Sequence, residues 1–517
     1  MKILITASFI FTLYFSITAQ NLIPEVTILS SEIVEDVLNV EYLISDDDNS
    51  NFEVGVWLSK DAGDIYTEIS EVIGDVGQVT ETGIKLVSID KTILTGEYQI
   101  RIVVDDLESI DVETIVNSVD SNSVKSYLEH VEGVRHHIAN LPHLDSTRSY
   151  VVDHLDNMNL NTSIQYFPFA GGFTGQNLLG RDEGVQNVKG EYLVGGHYDT
   201  VDNSPGADDN GTAVAALMEI ARVCKDYNFD HSVRYVSWDQ EEAGLLGSAY
   251  YVNNLPENIE IKGYLNFEML GYYSDKPNTQ TLPAGFEFIF PEATQEVSGN
   301  NFRGDFLTNV GNGSNSNTIM IQFDSIAGEY VPELKVINLA SPGNGISVPD
   351  LLRSDHAPFW AQGLPAVMLT DASEFRNPNY HTELDVIDSL DMNFLTNNVK
   401  AAVAYLAVKA GVNHKGFASI GSDIINSTIS NEAWGNKIKV FPNPTIDLLN
   451  IGFETALSAT TKVEILDMTG KIVFQDRISA GTALHQAPVR GLVAGRYFIK
   501  LESEGKVTTK GFVKGEE

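Results

Sequence analysis

Three stretches of this chain carry different hydrophobic patterns, and this division constrains the fold more than any other feature. Residues 22–115 and 437–517 contain short, alternating, β-branched runs separated by turns, whereas residues 116–412 alternate helical with strand-like segments. Regularly spaced short strands are typical of β-sandwiches. Alternating helices and strands are typical of an α/β sheet with helices on both faces. The 517 residues are also too many for a single hydrophobic core.

We therefore predict an α/β fold class: a mixed sheet flanked by helices, with an N-terminal immunoglobulin- or fibronectin-like β-sandwich and a C-terminal β-sandwich. The sequence predicts these boundaries: a signal peptide at 1–19, the first sandwich at 20–115, the α/β domain at 116–412, a polar linker at 413–436 and the last domain at 437–517.

The first residues indicate export. A short basic start, an apolar run from Ile3 to Ile17 and the small residue Ala19 form the pattern of a secretory signal peptide, with a buried strand as the alternative. The run is too short to span a bilayer comfortably, and no later stretch predicts a transmembrane segment. We expect a secreted or cell-surface protein.

Composition argues against nucleic-acid binding and against an internal disulfide. The formal net charge of −38 argues against nucleic-acid binding, which needs a basic face. Cys224 is the single cysteine, so no internal disulfide can form, and its helical surroundings indicate a small core residue. The acidic turns at 46–49 and 61–64 are weak candidates for Ca²⁺, with solvated turns as the alternative.

Histidines and carboxylates follow several strand-like runs of the α/β domain. Functional groups gather at the carboxyl ends of strands in such sheets. Two imidazoles with three or more carboxylates form the ligand set for a pair of divalent metals. Each residue alone also has a structural explanation, as a helix cap, a surface pair or a solvated loop residue. The candidates are His197, Asp199, Asp208, Asp209, Glu241, Glu242, Glu268 and His381.

The spacing of these residues suggests a division of roles. Asp199 lies two residues after His197 and can hold the second ring nitrogen of a metal-bound imidazole. In the adjacent pair Glu241 and Glu242, one carboxylate can bind metal while its neighbour takes a proton from water. A metal-dependent hydrolase follows if these residues converge.

The same region resembles the di-zinc aminopeptidases of metallopeptidase family M28. The resemblance covers residues 122–412, and it implies a zinc-exopeptidase fold that hydrolyses the N-terminal bond of peptides. The matching segments are residues 196–200, 205–211, 239–248, 266–269, 354–359 and 380–382.

The resemblance also implies roles for individual residues. Glu241 matches the general base, Asp199 the partner of the first histidine, and Tyr380 a residue that stabilises the oxyanion in some members. The family more often has Asp where this chain has Glu268, while Asp355 and His356 match a motif that supports the substrate pocket. Two Zn²⁺ ions per chain are implied, one held by His197, Asp209 and Glu268 and the other by Asp209, Glu242 and His381, with Asp209 bridging.

The C-terminal region resembles a type A sorting domain of the type IX secretion system. The resemblance implies the secretion machinery as a partner, followed by release or attachment at the surface. A carbohydrate-binding or adhesive sandwich is the alternative, but the region has no aromatic-rich run to support it. The matching segments are residues 440–444, 470–473, 492–497 and 510–514.

The sequence therefore predicts an exported zinc aminopeptidase acting on peptides. A carboxypeptidase or dipeptidase of the same fold would need a cation for the free carboxylate, for which Arg353 and Arg376 are candidates. A glutaminyl cyclase would bind one metal. A non-catalytic adhesion protein would lack the ligand set.

Overall fold

The computed structural model describes residues 22–422, 437–467, 471–503 and 506–515. The predicted signal peptide and residues 423–436 of the predicted linker lie outside these ranges. Within the described part of the chain, no helix combines the length and the apolar character that crossing a membrane requires.

The N-terminal region folds into two packed sheets. The order β1-β2-β7-β5 forms one sheet, and β3 pairs with β4, β6 and β8 in the other. Alternation along β2 turns Leu38, Val40 and Tyr42 into the space between the sheets, where they are fully buried. The strands are β1 (Glu25–Val34), β2 (Val37–Ser45), β3 (Asn51–Ser59), β4 (Thr67–Glu68), β5 (Val72–Gly74), β6 (Gly77–Thr80), β7 (Gly83–Asp90) and β8 (Gln99–Asp105).

The α/β region follows directly. Its first elements are α1 (Val112–Asn117), α2 (Ser121–Val131), α3 (Leu141–Asn157), β9 (Ser163–Phe169), β10 (Phe173–Asp182), β11 (Asn187–His197), α4 (Thr212–Cys224), β12 (Asn228–Phe229), β13 (His231–Trp238) and α5 (Leu246–Asn253). The remaining elements are β14 (Glu260–Glu268), α6 (Phe286–Ile289), α7 (Pro291–Gly299), β15 (Leu307–Asn312), α8 (Asn317–Tyr330), β16 (Val336–Ser341), α9 (His356–Ala361), β17 (Ala366–Thr370), α10 (Met392–Leu406) and β18 (Val412–Asn413).

A mixed eight-stranded sheet organises this region. Its order is β16-β15-β17-β14-β11-β13-β10-β9, and the central strands β13, β11, β14 and β17 run parallel. Helices α2, α4, α8 and α10 contribute to the core on one face, and α5, α6 and α9 contribute to the core on the other. The predicted mixed sheet with flanking helices is confirmed, and its parallel centre brings four strand ends to one edge.

The prediction of a linker at 413–436 is wrong for residues 415–421. Residues Lys415–Gly421 form β19, which pairs antiparallel with β8 along its whole length. Ile420 enters the core of the N-terminal sandwich. The α/β region is therefore inserted between two adjacent strands of that sandwich, because the chain returns to it after α10.

Arg101 of β8 joins the sandwich to the α/β region. Its guanidinium is buried, donates to the carbonyl oxygens of Gly184 (2.8 Å) and Val185 (2.7 Å), and forms an ion pair with Glu183. The ring of Phe417 in β19 lies 4.1 Å from it. The buried cation has enough acceptors to offset its desolvation.

The C-terminal region contains a three-stranded sheet, β20-β21-β24, and a four-stranded sheet, β23-β22-β25-β26. Both contribute to one hydrophobic core that includes Leu449, Ile465 and Ile499, as predicted for a β-sandwich. The strands are β20 (Ile438–Phe441), β21 (Leu448–Phe453), β22 (Thr461–Leu466), β23 (Ile472–Ile478), β24 (Leu484–Pro488), β25 (Gly495–Ser503) and β26 (Lys506–Lys514).

Candidate metal centre

The predicted ligands come together at the carboxyl ends of the parallel strands. His197 is the last residue of β11 and Glu268 the last residue of β14. Glu241 and Glu242 lie in the turn after β13, Asp209 in the turn before α4, and His381 in the loop between β17 and α10. Residues far apart in the chain meet there because neighbouring parallel strands end at one edge.

Two groups of potential ligands result. The side-chain ligand atoms of His197, Glu241 and Glu268 lie within 4.8 Å of one another, as do those of Asp209, Glu242 and His381. In the first group, Nε2 of His197 is 3.4 Å from Oε2 of Glu268. In the second, Nε2 of His381 is 3.2 Å from Oε2 of Glu242.

Asp209 faces both groups through different oxygens. Its Oδ1 lies 3.4 Å from Nε2 of His197, and its Oδ2 lies 3.0 Å from Nε2 of His381. A carboxylate that presents one oxygen to each of two ligand groups is suited to bridging two cations.

Two atoms of the cluster lack a hydrogen-bond partner. Nε2 of His197 and Oε1 of Glu242 are buried, and neither has a hydrogen-bond partner among the described residues. Buried polar atoms are rarely left unsatisfied in folded proteins. Imidazole nitrogens with carboxylate oxygens form a donor set that suits Zn²⁺, so the residues present fit a pair of zinc ions.

Asp199 holds the first histidine and the two glutamates in place. Nδ1 of His197 lies 3.2 Å from the backbone carbonyl oxygen of Asp199 and 3.5 Å from its Oδ1. The carboxylate also accepts hydrogen bonds from the backbone N–H groups of Glu241 (3.0 Å) and Glu242 (3.3 Å). The sequence predicted the contact with the histidine, but the second function of Asp199 requires the fold.

The electrostatics of the cluster favour cations. Burial alone would lower the pKa of His381, but hydrogen bonds with Asp209 and Glu242 raise it to about 10. Burial alone would raise the pKa of Asp209, but the two histidines that face its oxygens at 3.4 and 3.0 Å hold it well below its ordinary value. The carboxylates thus attract positive charge, which either imidazolium protons or metal ions can supply.

Glu241 has the environment of a proton acceptor. Burial raises its pKa well above the ordinary value, although the nearby His197 opposes this effect. Its Oε2 lies 3.9 Å from Nε2 of His197. A carboxylate with a raised pKa beside a potential metal ligand can take and return a proton.

Tyr380 lies against the second group of ligands. Its ring stacks on His381 at a centroid distance of 3.8 Å, and its hydroxyl accepts a hydrogen bond from Nη2 of Arg353 (3.2 Å). Burial raises the pKa of the Tyr380 hydroxyl, so the neutral side chain keeps a proton to donate.

The two candidate carboxylate-binding arginines differ. Arg353 is partly exposed beside Tyr380 but forms an ion pair with Glu374. Arg376 is buried and donates to Oε1 of Gln280 (2.8 Å), so it has a structural role and does not reach a substrate.

An apolar recess opens beside the metal centre. Glu268 and Tyr380 line it, together with Arg353. Its other walls are mostly apolar, and they include Leu282, Phe286, Phe290, Phe306, Ile337 and Met368. A recess of this composition accommodates a large apolar side chain.

Ser354 lies in the segment 354–359 that the family resemblance identified, and it supports the centre. Ser354 donates from Oγ to Oε2 of Glu268 (2.6 Å) and accepts from Nδ2 of Asn266 (2.7 Å), which fixes the longer carboxylate found here. The neighbouring Asp355 and His356 are buried, and the ring of His356 packs edge-on against Trp360 at 4.5 Å.

The backbone around the ligands is unusual. His381, Met269 after Glu268 and Gln240 before Glu241 have φ angles of 57°, 53° and 59°. Left-handed backbone is uncommon for residues other than glycine and is concentrated at functional sites. No local sequence pattern identifies these positions.

The acidic turn at 46–49 has the geometry of an ordinary solvated turn, which was the alternative to calcium binding. Oδ1 of Asp46 accepts from the backbone N–H groups of Asp48 (3.0 Å) and Asn49 (2.8 Å), as in an ordinary Asx turn. The turn is not among the ligand groups found in the described residues, and calcium binding there stays a prediction.

Comparison with protein-family models identifies two regions. Residues 177–406 match the model of peptidase family M28. The matched residues carry the metal centre described above. Residues 439–515 match the model described as a secretion system C-terminal sorting domain. Both predicted resemblances are confirmed, as is the enzyme class of a zinc metallopeptidase.

Individual proteins are also similar to this chain. The uncharacterized protein YfbL of Escherichia coli is 26% identical over 281 residues, covering 49% of this chain and 81% of YfbL. Aminopeptidase YwaD of Bacillus subtilis is 29% identical over 248 residues, covering 46% of this chain and 45% of YwaD. The chain thus spans less than half the length of YwaD.

A solved zinc aminopeptidase from Bacillus subtilis is 16% identical, with a TM-score of 0.43; the match covers 57% of this chain and 96% of that one.

Proposed function

We propose that this M28 domain is a di-zinc aminopeptidase that removes N-terminal residues from peptides. The observation that carries the proposal is the position of Asp209, whose two oxygens face His197 and His381 separately. In this assignment His197, Asp209 and Glu268 would hold one zinc ion, and Asp209, Glu242 and His381 would hold the other.

The chain's own residues divide the chemistry. Zinc bound at this centre would lower the pKa of a bound water and polarise the peptide carbonyl. Glu241 takes the proton of the attacking water and returns it to the leaving amine, since its raised pKa suits both transfers. Tyr380 donates a hydrogen bond from its neutral hydroxyl to the oxygen on which charge develops.

Charge around the centre favours a free amino terminus over a free carboxylate. Glu241, Glu242 and Glu268 surround the reacting position and attract an α-ammonium group. Of the two arginines proposed for carboxylate binding, Arg376 is buried, and Arg353 already pairs with Glu374. This supports aminopeptidase over carboxypeptidase or dipeptidase action.

The apolar recess supports a preference for large apolar N-terminal residues. It begins at Glu268 and Tyr380, so a side chain next to the scissile carbonyl would enter it. Burying such a side chain contributes about 1.5 to 3 kcal/mol. Leucine and phenylalanine fit the aliphatic and aromatic walls.

The test compares three leucine peptides with the same sequence: one free, one N-acetylated and one C-amidated. We expect release of leucine from the free and amidated peptides but not from the acetylated peptide, together with two zinc ions per chain and loss of activity on chelation. Cleavage that requires a free C-terminus would contradict the proposal. A single zinc with cyclisation of N-terminal glutamine would favour the cyclase alternative.

We also propose that the protein is exported by a signal peptide and then by type IX secretion, which the C-terminal sorting domain supports. In a host with that machinery, removal of residues 437–517 should leave the enzyme inside the cell envelope, whereas the complete chain should reach the surface or the medium. Equal export of both chains would refute this.

A further inference from the structure

A second recess opens at the metal centre and shares no lining residue with the apolar recess described above. Its walls include Asp199, Val201, Glu242, Ala243 and the pair His136 and His137. The apolar recess reaches the centre through Glu268, whereas this one reaches it through Glu242. The two recesses therefore meet different ligand groups of the metal pair.

This arrangement gives a bound peptide a direction. When the N-terminal side chain occupies the recess beside Glu268, the scissile carbonyl lies at the metals. The part of the peptide that leaves must then continue past Glu242. The next side chain along the peptide would be directed towards His136 and His137.

An aromatic ledge meets this second recess at His137. We use this name for His137, Phe169 and Phe173. The ring of His137 lies edge-on to Phe169 (5.0 Å) and to Phe173 (4.9 Å), and the two phenylalanine rings are 5.6 Å apart. The side chain of Phe173 is 41% exposed, so the ledge offers apolar surface to solvent.

The hairpin of β9 and β10 places the two phenylalanines side by side. Phe169 and Phe173 are direct cross-strand partners, and the turn between them contains Gly171 and Gly172, with φ angles of 81° and 79°. Residues with a side chain rarely adopt this conformation. The local sequence thus presents two aromatic rings at the tip of a hairpin.

The histidine of the ledge is held rigidly. The neighbouring Arg135 is buried and donates to the carbonyl oxygens of Tyr198 (2.6 Å), Pro205 (3.0 Å) and Gly206 (2.8 Å). These contacts fix the segment to the turns that carry Asp199 and Asp209. Burial and the adjacent His136 lower the pKa of His137.

We propose that the aromatic ledge binds an apolar or aromatic side chain at the second position of the peptide, the residue that follows the cleaved bond. The inference rests on the proposed aminopeptidase function and adds a specificity that the metal centre does not determine. The ledge contains no carboxylate in a chain whose net charge is −38, and its rings can stack with an incoming side chain.

The experiment measures leucine release from Leu-Phe-Gly-Gly and Leu-Gly-Gly-Gly by the full chain with its zinc. Burial of a phenylalanine side chain corresponds to roughly a tenfold or greater preference in kcat/KM for the first peptide. Phe173→Ser should reduce that preference to about twofold, and Phe173→Leu should retain most of it.

Tyr166→Ser is the matched control. Tyr166 is an exposed aromatic residue of β9, the strand that carries Phe169, but it alternates onto the opposite face from Phe167 and Phe169. The preference should be unchanged in this variant. In the wild-type enzyme, the preference for phenylalanine should appear mainly as a lower KM, because the ledge contacts the substrate away from the reacting atoms.

The outcomes separate the two proposals. Release of leucine with equal preference in wild type and Phe173→Ser would overturn the ledge and leave the aminopeptidase function standing. A wild-type enzyme that does not prefer phenylalanine over glycine would overturn the ledge without any variant. No leucine release from either peptide would overturn both proposals.

Discussion

The carboxylate of Asp385 clamps the backbone of Asp209. Its Oδ2 accepts from the N–H of Asp209 (3.0 Å), and its Oδ1 accepts from the N–H of Asp208 (2.9 Å). Asp385 lies four residues after His381. One loop therefore supplies a candidate ligand and also fixes the turn that carries the candidate bridging carboxylate.

Asp385→Asn should weaken metal binding without unfolding the domain. The amide replaces one accepting oxygen with an N–H donor that faces a backbone N–H, so the turn at Asp209 loses one of its two supports. We expect zinc affinity to fall about 10- to 100-fold, the usual effect of removing a group that supports a ligand. Competition with a graded series of chelators measures this, and Asp388→Asn, at an exposed position of the same loop, is the control. Unchanged affinity in Asp385→Asn would show that the clamp is dispensable.

Glu241→Gln should separate proton transfer from metal binding. Glutamine keeps the shape of the side chain but cannot take a proton from water. We expect kcat to fall by roughly two to four orders of magnitude, with zinc content and KM close to those of wild type. Steady-state kinetics and metal analysis of the purified variant provide the measurement. Glu257→Gln, which removes an exposed carboxylate, should be fully active. Substantial turnover by Glu241→Gln would remove this residue from the mechanism.

The sequence predicted the residues at strand ends better than those in turns. His197 and Glu268 end apolar runs, and parallel strands that lie side by side end at one edge. The sequence was less informative about the segments that orient them. Residues 241–245 form a turn held by Asp199, and α5 begins only at Leu246. The contacts of Asp385 and Ser354 depend on the packing of remote loops, for which one sequence carries no local signal.

The return of the chain to the first sandwich could not be predicted for a different reason. Lys415–Gly421 is a short edge strand with a mixed pattern, so its alternation is weak. Its partner β8 lies about 300 residues earlier, and only the closed α/β region brings the two together. Hydrophobic patterns in the sequence indicate local structure, and they do not reveal which distant strands pair.

A chain truncated after residue 412 should be less stable than one truncated after residue 422. The shorter chain lacks β19, which leaves β8 unpaired at one edge and removes Ile420 from the core. It also removes the hydrogen bond of Arg101 to Oγ of Ser419 (2.8 Å). Losing a buried isoleucine alone costs about 2 to 5 kcal/mol, and an exposed edge promotes aggregation. Thermal unfolding of both chains, each starting at residue 20, tests this. Equal midpoints would mean that β19 adds nothing.

Asp182 should make stability depend on pH. Burial raises the pKa of this carboxyl, at the end of β10, to about 7, whereas an unfolded chain has an ordinary value near 3.9. Between these values the folded state keeps a proton that the unfolded state has lost. The free energy of unfolding therefore falls as the pH rises from about 4 to about 7. Asn cannot ionise, so Asp182→Asn avoids this loss. We expect the free energy of unfolding of the variant to rise by about 1 to 3 kcal/mol relative to wild type between pH 5 and pH 8.

Urea denaturation at both pH values measures the difference, with Asp153→Asn, at an exposed position, as the control. A difference between Asp182→Asn and wild type that does not change with pH would mean that Asp182 is already ionised in the folded protein at pH 5, because only a carboxyl that still holds its proton at that pH can produce the predicted change.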